Sequence, residues 1–408
     1  MTLEERFGAD KKIGSILEEE YMDKHHIRQL ELVAIIIVFI ATLSPLTVQA
    51  GGLTLYEVGT PDVGYASAGY AARADDPGTV LTNPAGMTRL KGKQLLLGTQ
   101  ILYGDVKFSP SQETTVAGGN GGNALGLLPA LSTFGTYAVN KDLSVGIGMF
   151  SNFGLGLWYD SDWAGRYYAD DAVLIGISIM PAIAYRITER LSVGVGLNIM
   201  YGYHKNTVAI NNIDPGMGDG RLKLKDGDIG IGANVGILYE LSKGTRFGVT
   251  YSSPVKLDFS DTPEFSGTGP GITTILNNRG LYASTLDLGI TVPQSVMASF
   301  YTELNDQWAL LGNFGWQDWS EFGKIDVSLS STANPALTTN LKYKDTWHGA
   351  LGAQCDLRKD IQLGFAYEYV YSGSPRINAS RGPLSGTLAG EYPDMSIQFF
   401  TANVTRKF

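Results

Sequence analysis

LSVGVGLNIMYGYH, running from Leu191 to His204, decides the fold. Leu191, Val193, Val195, Leu197, Ile199, Tyr201 and Tyr203 alternate with Ser192, Gly194, Gly196, Asn198, Met200, Gly202 and His204. A period of two puts one set on each face of an extended strand, apolar on one side and small or polar on the other. The same division runs through Ile229 to Leu241, Phe247 to Phe259 and Ile361 to Tyr371, with Lys256 and Asp258 on the polar side of the third.

In a water-soluble sandwich the apolar faces would meet in a shared core, so alternation alone leaves two architectures open. Other features separate them. The apolar faces end in aromatics (Tyr201 and Tyr203, Phe259, Tyr369 and Tyr371), as an interfacial girdle requires. Short turns near Asn140-Lys141, Thr188-Glu189, Ser242-Lys243, Asn305-Asp306 and Lys359-Asp360 alternate with long Gly/Asp/Asn-rich connections. The last alternating run, Phe400, Ala402 and Val404, ends on Phe408, an aromatic terminus on the lipid side. These features predict an all-β transmembrane antiparallel β-barrel. Counting hairpins gives about twelve strands, starting near residues 93, 130, 142, 172, 190, 227, 244, 284, 306, 342, 360 and 393.

Composition agrees. Charged residues are 17% and glycines number 51 in 408 residues, too few charges and too many glycines for an ordinary soluble enzyme. No apolar run after Ala50 is long enough for a spanning helix, so a membrane passage has to use strands. The single cysteine, Cys355, permits no internal disulfide and no zinc cluster, and no cofactor or metal is expected. A net charge of -9 without a basic face speaks against nucleic acid as a partner.

Leu32 to Leu43 is an apolar run preceded by Lys24, His25, His26 and Arg28 and followed by Val48-Gln49-Ala50, the pattern of a secretory leader. Residues 1–50 are therefore expected to be a signal peptide, with translation starting at Met22 and Gly51 as the first mature residue. A retained anchor is the competing reading. Residues 51–92 do not alternate and are expected to plug the lumen as an N-terminal hatch, and residues 93–408 to form the barrel.

Within that segment the words become familiar. GGLTLYEVGTPDVGYASAGYAARADDPGTVLTNPAGMTRL, Gly51 to Leu90, resembles the hatch of the FadL-like long-chain fatty-acid transporters, with Asn83-Pro84-Ala85 matching their most distinctive tripeptide. Phe153 to Gly156, Trp163 to Tyr167, Gly236 to Leu241, Tyr251 to Lys256 and Trp319 to Phe322 are similar to family words in the same order. The resemblance implies an outer-membrane protein of Gram-negative bacteria, monomeric, with fourteen strands rather than twelve. It implies passive uptake of long-chain fatty acids or similar hydrophobic molecules, with outer-membrane lipid and lipopolysaccharide around it. Gly51, Gly52 and Leu53 occupy the positions that reach the family's ligand pocket, and Asn83, Pro84 and Ala85 belong to its gating segment. Pro84 and Asn83 also specify a turn in their own right.

A hydrophobic solute needs apolar side chains where it first meets the protein. Leu125, Leu127 and Leu128 in the first long loop, and Leu155, Leu157, Trp158 and Trp163 in the second, are the candidates, with packing against the rim as the alternative. A carboxylate leaving water needs a cation, because an unpaired buried charge is costly. Arg186, Lys205, Lys256 and Lys324 are the available partners. The cationic positions of the family's fatty-acid members align with Val208 and Asp326, which suits a neutral aromatic hydrocarbon equally well.

Other classes fare worse. Only His204 and His348 follow the leader, and neither sits in a nucleophile motif, against a lipid hydrolase. A general porin would want an open lumen, which a hatch contradicts. Asn211, Asn212, Asp214, Asp219, Asp226 and Asp228 crowd one outer loop without EF-hand spacing and read as a solvated surface.

Overall fold

The computed structural model describes residues 58–408, apart from 213, 215, 279, 323, 330–336, 341–343, 372–375, 381–386, 392–396 and 407–408. The expected leader, Gly51, Gly52, Leu53 and Phe408 lie outside the described residues.

The first strands are β1 (Lys93–Gly104), β2 (Ser109–Pro110), β3 (Gly126–Ala138), β4 (Leu143–Trp158), β5 (Asp171–Arg186), β6 (Leu191–Ile210) and β7 (Gly220–Glu240). There follow β8 (Thr245–Ser252), β9 (Val255–Asp261), β10 (Glu264–Ser266), β11 (Leu286–Val292), β12 (Ser295–Glu303), β13 (Trp308–Gln317) and β14 (Lys324–Leu329). The last are β15 (Leu337–Asn340), β16 (Thr346–Arg358), β17 (Ile361–Tyr371), β18 (Arg376–Ser380), β19 (Thr387–Glu391) and β20 (Ile397–Arg406). Among the described residues twelve strands form one antiparallel path, β1-β3-β4-β5-β6-β7-β8-β12-β13-β16-β17-β20, with β10 added beside β7. No described helix is long and apolar enough to cross a membrane.

The short turns lie at the expected places, and side chains build them. Asn140 Oδ1 accepts from the amides of Asp142 and Leu143, Thr188 Oγ1 from Arg190 and Leu191, and Asn305 Oδ1 from Gln307 and Trp308. Along β6, Val195, Leu197, Ile199 and Tyr201 are exposed, whereas Gly194, Gly196, Met200 and Gly202 are buried inside. Ile229, Ile231, Val235 and Ile237 repeat this on β7, and Phe400 and Val404 on β20. β7 begins earlier than the turn signals suggest, at Gly220, because Arg221 to Lys225 pair with β6 despite their charge.

One strand departs from expectation. Phe247, Val249 and Tyr251 face outward on β8, but Val255, Leu257 and Phe259, which continue the same parity, are buried. Ser253-Pro254 breaks the strand, since proline cannot donate to the ladder. β12 and β11 are separated likewise at Pro293-Gln294, and β13 and β14 by the short helix Trp319–Phe322. Beyond these breaks β9, β11, β14 and β15 leave the wall as a separate sheet, ordered β15-β14-β11-β9. Phe259 therefore belongs to the interior and not to a girdle, and Lys256 and Asp258 lie on the exposed face.

Candidate functional site

The inturned sheet presents its apolar side to the opposite wall. Val255, Leu257 and Phe259 of β9 and Ile290 and Val292 of β11 pack with Phe153 of β4, Leu174 of β5 and Met200 of β6, closed by Trp319 and Phe322. Glycines open the wall for this packing: a Cβ at Gly202 would lie 2.6 Å from Leu257, and one at Gly232 would lie 2.8 Å from Val255. The exposed edge of β9 is tied to β7 by charge-assisted bonds, the Asp258 and Ser260 amides donating at 2.7 Å to Asp228 and Asp226.

Beside this apolar cluster the wall is incomplete. The β3–β4 ladder runs outward from Ala138 and Ser144 and stops at Ser132 and Phe150. Farther out β3 pairs with β1, and β4, after a bulge between Phe150 and Phe153, pairs with β5. The bulge inserts an extra residue and changes parity, so Phe150 and Phe153 both point inward.

Beneath the cluster, residues 58–90 fill the lumen and touch wall strands nearly all the way round. Gly59 donates to Gln100 of β1, Ser67 to Glu368 of β17, and the Gly69 amide to the Gly312 carbonyl of β13. The Ala71 amide donates to Ser299 of β12, Thr88 to Ser192 of β6, and Asn403 of β20 to the Gly64 carbonyl. Asn83 is the most deeply committed. Its Nδ2 donates to the carbonyls of Ala71 at 2.6 Å and of Ile237 on β7 at 3.0 Å, and its Oδ1 caps the helix Pro84–Arg89 through the Ala85 amide. Pro84 fills the first helical position, where a missing N–H is harmless. Asn83, Pro84 and Ala85 are buried against β6 and β7.

Charge inside the hatch is compensated. Arg73 contacts Asp62 at 3.2 Å and Asp76 at 2.6 Å, while Arg246 of β8 donates to the carbonyls of Ala72 and Arg73 and meets Asp75 at 3.2 Å. Burial works against the Arg73 charge, but Asp62, Asp76 and Asp75 outweigh it and push its pKa well up. Burial raises the Tyr65 phenol to about 12.

The three candidate cations whose side chains are described, Arg186, Lys205 and Lys256, are not brought together. Arg186 donates to the Thr88 carbonyl at the short-turn end, which makes it a tie for the hatch. Lys205 follows the outward parity of β6 and meets Asp171 at 3.3 Å. Lys256 is exposed on β9, and the side chain of Lys324 lies outside the described residues.

The capture candidates also move. Leu127 and Leu128 belong to β3, and Leu155, Leu157 and Trp158 to β4, so they flank the unpaired stretch of wall instead of forming loops. Pro129 sits there at ease because β3 has a ladder on one side only. Leu127 and Trp158 are exposed, and the Leu155 side chain lies outside the described residues. Leu125 stays in the loop, against Gly104. Trp163 is buried in its loop, stacked on Tyr159 at 3.9 Å between ring centres and donating to the Ala169 carbonyl.

Sequence reasoning missed the buried group formed by Ser67, Glu368 and His348. Ser67 Oγ donates to Glu368 at 2.9 Å, and His348 Nδ1 lies 3.2 Å from the same oxygen. The hydroxyl is aimed at the carboxylate and not at the imidazole, so the trio ties hatch to wall and is not arranged as a nucleophile and its base. A histidine on β16 and a glutamate 20 residues later on β17 gave no local signal.

Residues 40–380 match the family model described as outer membrane protein transport protein (OMPP1/FadL/TodX). The chain belongs to that family. Outer membrane protein P1 of Haemophilus influenzae is 28% identical over 403 residues, covering 88% of this chain and 83% of that relative. The long-chain fatty acid transport protein of Escherichia coli O6:H1 is 27% identical over 350 residues, covering 78% and 77%. Among solved structures, a Pseudomonas aeruginosa FadL homologue superposes with a TM-score of 0.69 at 17% identity, covering 88% of this chain and 100% of that one. The Ralstonia pickettii toluene transporter TbuX superposes at 0.58 and 17%, covering 88% and 99%. This OMPP1/FadL/TodX member is thus an outer-membrane β-barrel transport protein of the Gram-negative type.

Proposed function

We propose that the protein carries long-chain fatty acids or similar hydrophobic molecules inward without energy coupling, as a monomer. The apolar cluster under the inturned sheet carries this reading: Phe153, Leu174, Met200, Leu257, Phe259 and Trp319 make a water-poor station above a hatch whose ties are mostly polar. Leu127, Leu128, Leu157 and Trp158 supply apolar surface on both sides of the unpaired wall between β3 and β4, through which a solute reaches lipid without crossing the polar layer. Residues 1–50 serve as the leader, 51–92 as the hatch, whose first residues Gly51 to Leu53 act in passing the solute, and 93–408 as the barrel.

A neutral aromatic is the second reading. It is favoured by the placement of Arg186, Lys205 and Lys256, which are committed to the hatch, to Asp171 and to the exposed face. Uptake into liposomes carrying the purified protein, with a labelled fatty acid and a neutral aromatic of similar size compared, separates the two. Deleting Gly51 to Leu53 is expected to reduce whichever uptake is genuine. Transport of neither compound would overturn the proposal.

A further inference from the structure

Beyond the tyrosines, the lipid-facing side of β6 and β7 turns cationic. Tyr201 pairs with Ile229, Tyr203 with Gly227, Lys205 with Lys225, Thr207 with Lys223 and Ala209 with Arg221. Directly opposed residues of an antiparallel ladder share a face, and no register shift interrupts this one. Lys205, Lys225, Lys223 and Arg221 therefore continue the face that carries Tyr201 and Ile229, with Lys225 and Arg221 exposed, Lys205 and Lys223 half-buried, and Thr207 buried between them. The Tyr201 hydroxyl reaches over Gly227 toward them, for a Cβ at that glycine would lie 2.3 Å from the oxygen.

Two lysines facing each other across a ladder repel unless an anion joins them. The carboxylates that meet these cations come from the neighbouring strands and loop, not from between β6 and β7. Lys205 meets Asp171 of β5 at 3.3 Å, and Lys225 and Lys223 meet Glu264 of β10 at 3.6 and 3.1 Å. Arg221 meets Asp170 at 3.2 Å. Four cations thus meet three carboxylates through their side chains, with Asp261 accepting from the Lys225 backbone amide at 2.6 Å, so the strip is far less acidic than the chain as a whole, which carries -9. Its height matters equally. An aromatic girdle marks the headgroup boundary, and the Lys205–Lys225 rung lies one same-face step beyond Tyr203, about 7 Å farther out.

We propose that this strip binds the phosphate of an outer-leaflet glycolipid, held between the Lys205 and Lys225 ammonium groups with Lys223 and Arg221 alongside. The site is independent of which solute the barrel carries, and it gives the wall a fixed lipid beside its longest ladder.

Native mass spectrometry of the full-length protein in detergent tests this, with bis-phosphorylated lipid A compared with the same lipid after removal of both phosphates. The wild type is expected to retain the phosphorylated form preferentially. Lys205→Gln with Lys225→Gln should weaken that binding by about 30-fold and leave the dephosphorylated lipid unaffected. Glu264→Gln removes a competing carboxylate and should strengthen it. Equal retention of phosphorylated lipid by the wild type and the double variant, both running as folded heat-modifiable barrels, overturns the site. So does a wild type that holds both lipids equally.

Discussion

Replacing Asn83 with alanine should release the hatch while sparing the barrel. The side chain is fully buried and makes three hydrogen bonds, to the Ala71 and Ile237 carbonyls and from the Ala85 amide. At about 1 kcal/mol net for each, the loss is about 3 kcal/mol, enough to raise the population of the undocked hatch by roughly a hundredfold. Asn83→Asp should be worse at neutral pH, because it keeps the acceptor for Ala85 but sets a carboxylate against two carbonyl oxygens. Hydrogen exchange followed by mass spectrometry reads both effects: amides of Leu81 to Leu90 should exchange about a hundred times faster, and those of β6 and β7 should not change. Single-channel recording should show a matching rise in ion leak. If the amides of Leu81 to Leu90 keep wild-type rates in Asn83→Ala, the hatch is not held by this residue and the account of its docking is wrong.

Gly248→Ala should displace the same segment by a different route, since its Cβ would lie 1.9 Å from the Ala71 carbonyl oxygen; leak should rise while the barrel's resistance to heat stays within a few degrees. Phe259→Asp puts a charge on the underside of the inturned sheet, where Phe259 is buried, and should abolish uptake of hydrophobic solute with the hatch still protected from exchange. Deleting Asn152 removes the extra residue of the β4 bulge and lets the ladder with β3 continue outward; uptake should fall sharply, and unchanged uptake would show that the gap is not on the route. Arg73→Leu strips Asp62 of its guanidinium. Burial already raises the Asp62 pKa against the pull of Arg73. A carboxyl raised in the folded state contributes stability below its ordinary value and loses it as pH rises through the folded one. Proteolysis within the hatch should therefore increase with pH in the variant more steeply than in the wild type.

The wall was legible because lipid on one side and small residues on the other impose a period of two that no loop obeys. Val195, Leu197 and Ile199 against Gly194, Gly196 and Met200 carry that signal, and the structure exposes the first set and buries the second. The inturned sheet was less legible. Phe247 to Phe259 keeps its alternation through Pro254, and only the proline says that the faces exchange there. Period alone cannot distinguish a side chain buried against lipid from one buried against protein. Leu127 and Leu155 show the same limit from the other direction, because apolar residues near glycine and proline read as loop until their partners are known. The cations were the least legible. Arg186 is set by a carbonyl 98 residues away in sequence, and no local pattern announces such a contact.

The glycines join these observations. Gly194, Gly236 and Gly248 sit on the lumen faces of three adjacent strands, and a Cβ at any of them would fall within 2.3 Å of a hatch atom. The hatch therefore approaches the wall at backbone distance and is held there by many modest polar bonds, each replaceable by water. The apolar cluster above it has no such substitute, since exposing Leu257 or Phe259 to water costs free energy in proportion to their area. A hydrophobic solute arriving at that cluster replaces apolar contacts with its own. A shift of the hatch meanwhile exchanges protein bonds for bonds to water. The two halves of the lumen can thus respond to one ligand in sequence, the upper by repacking and the lower by rehydration, and neither step requires the barrel to open.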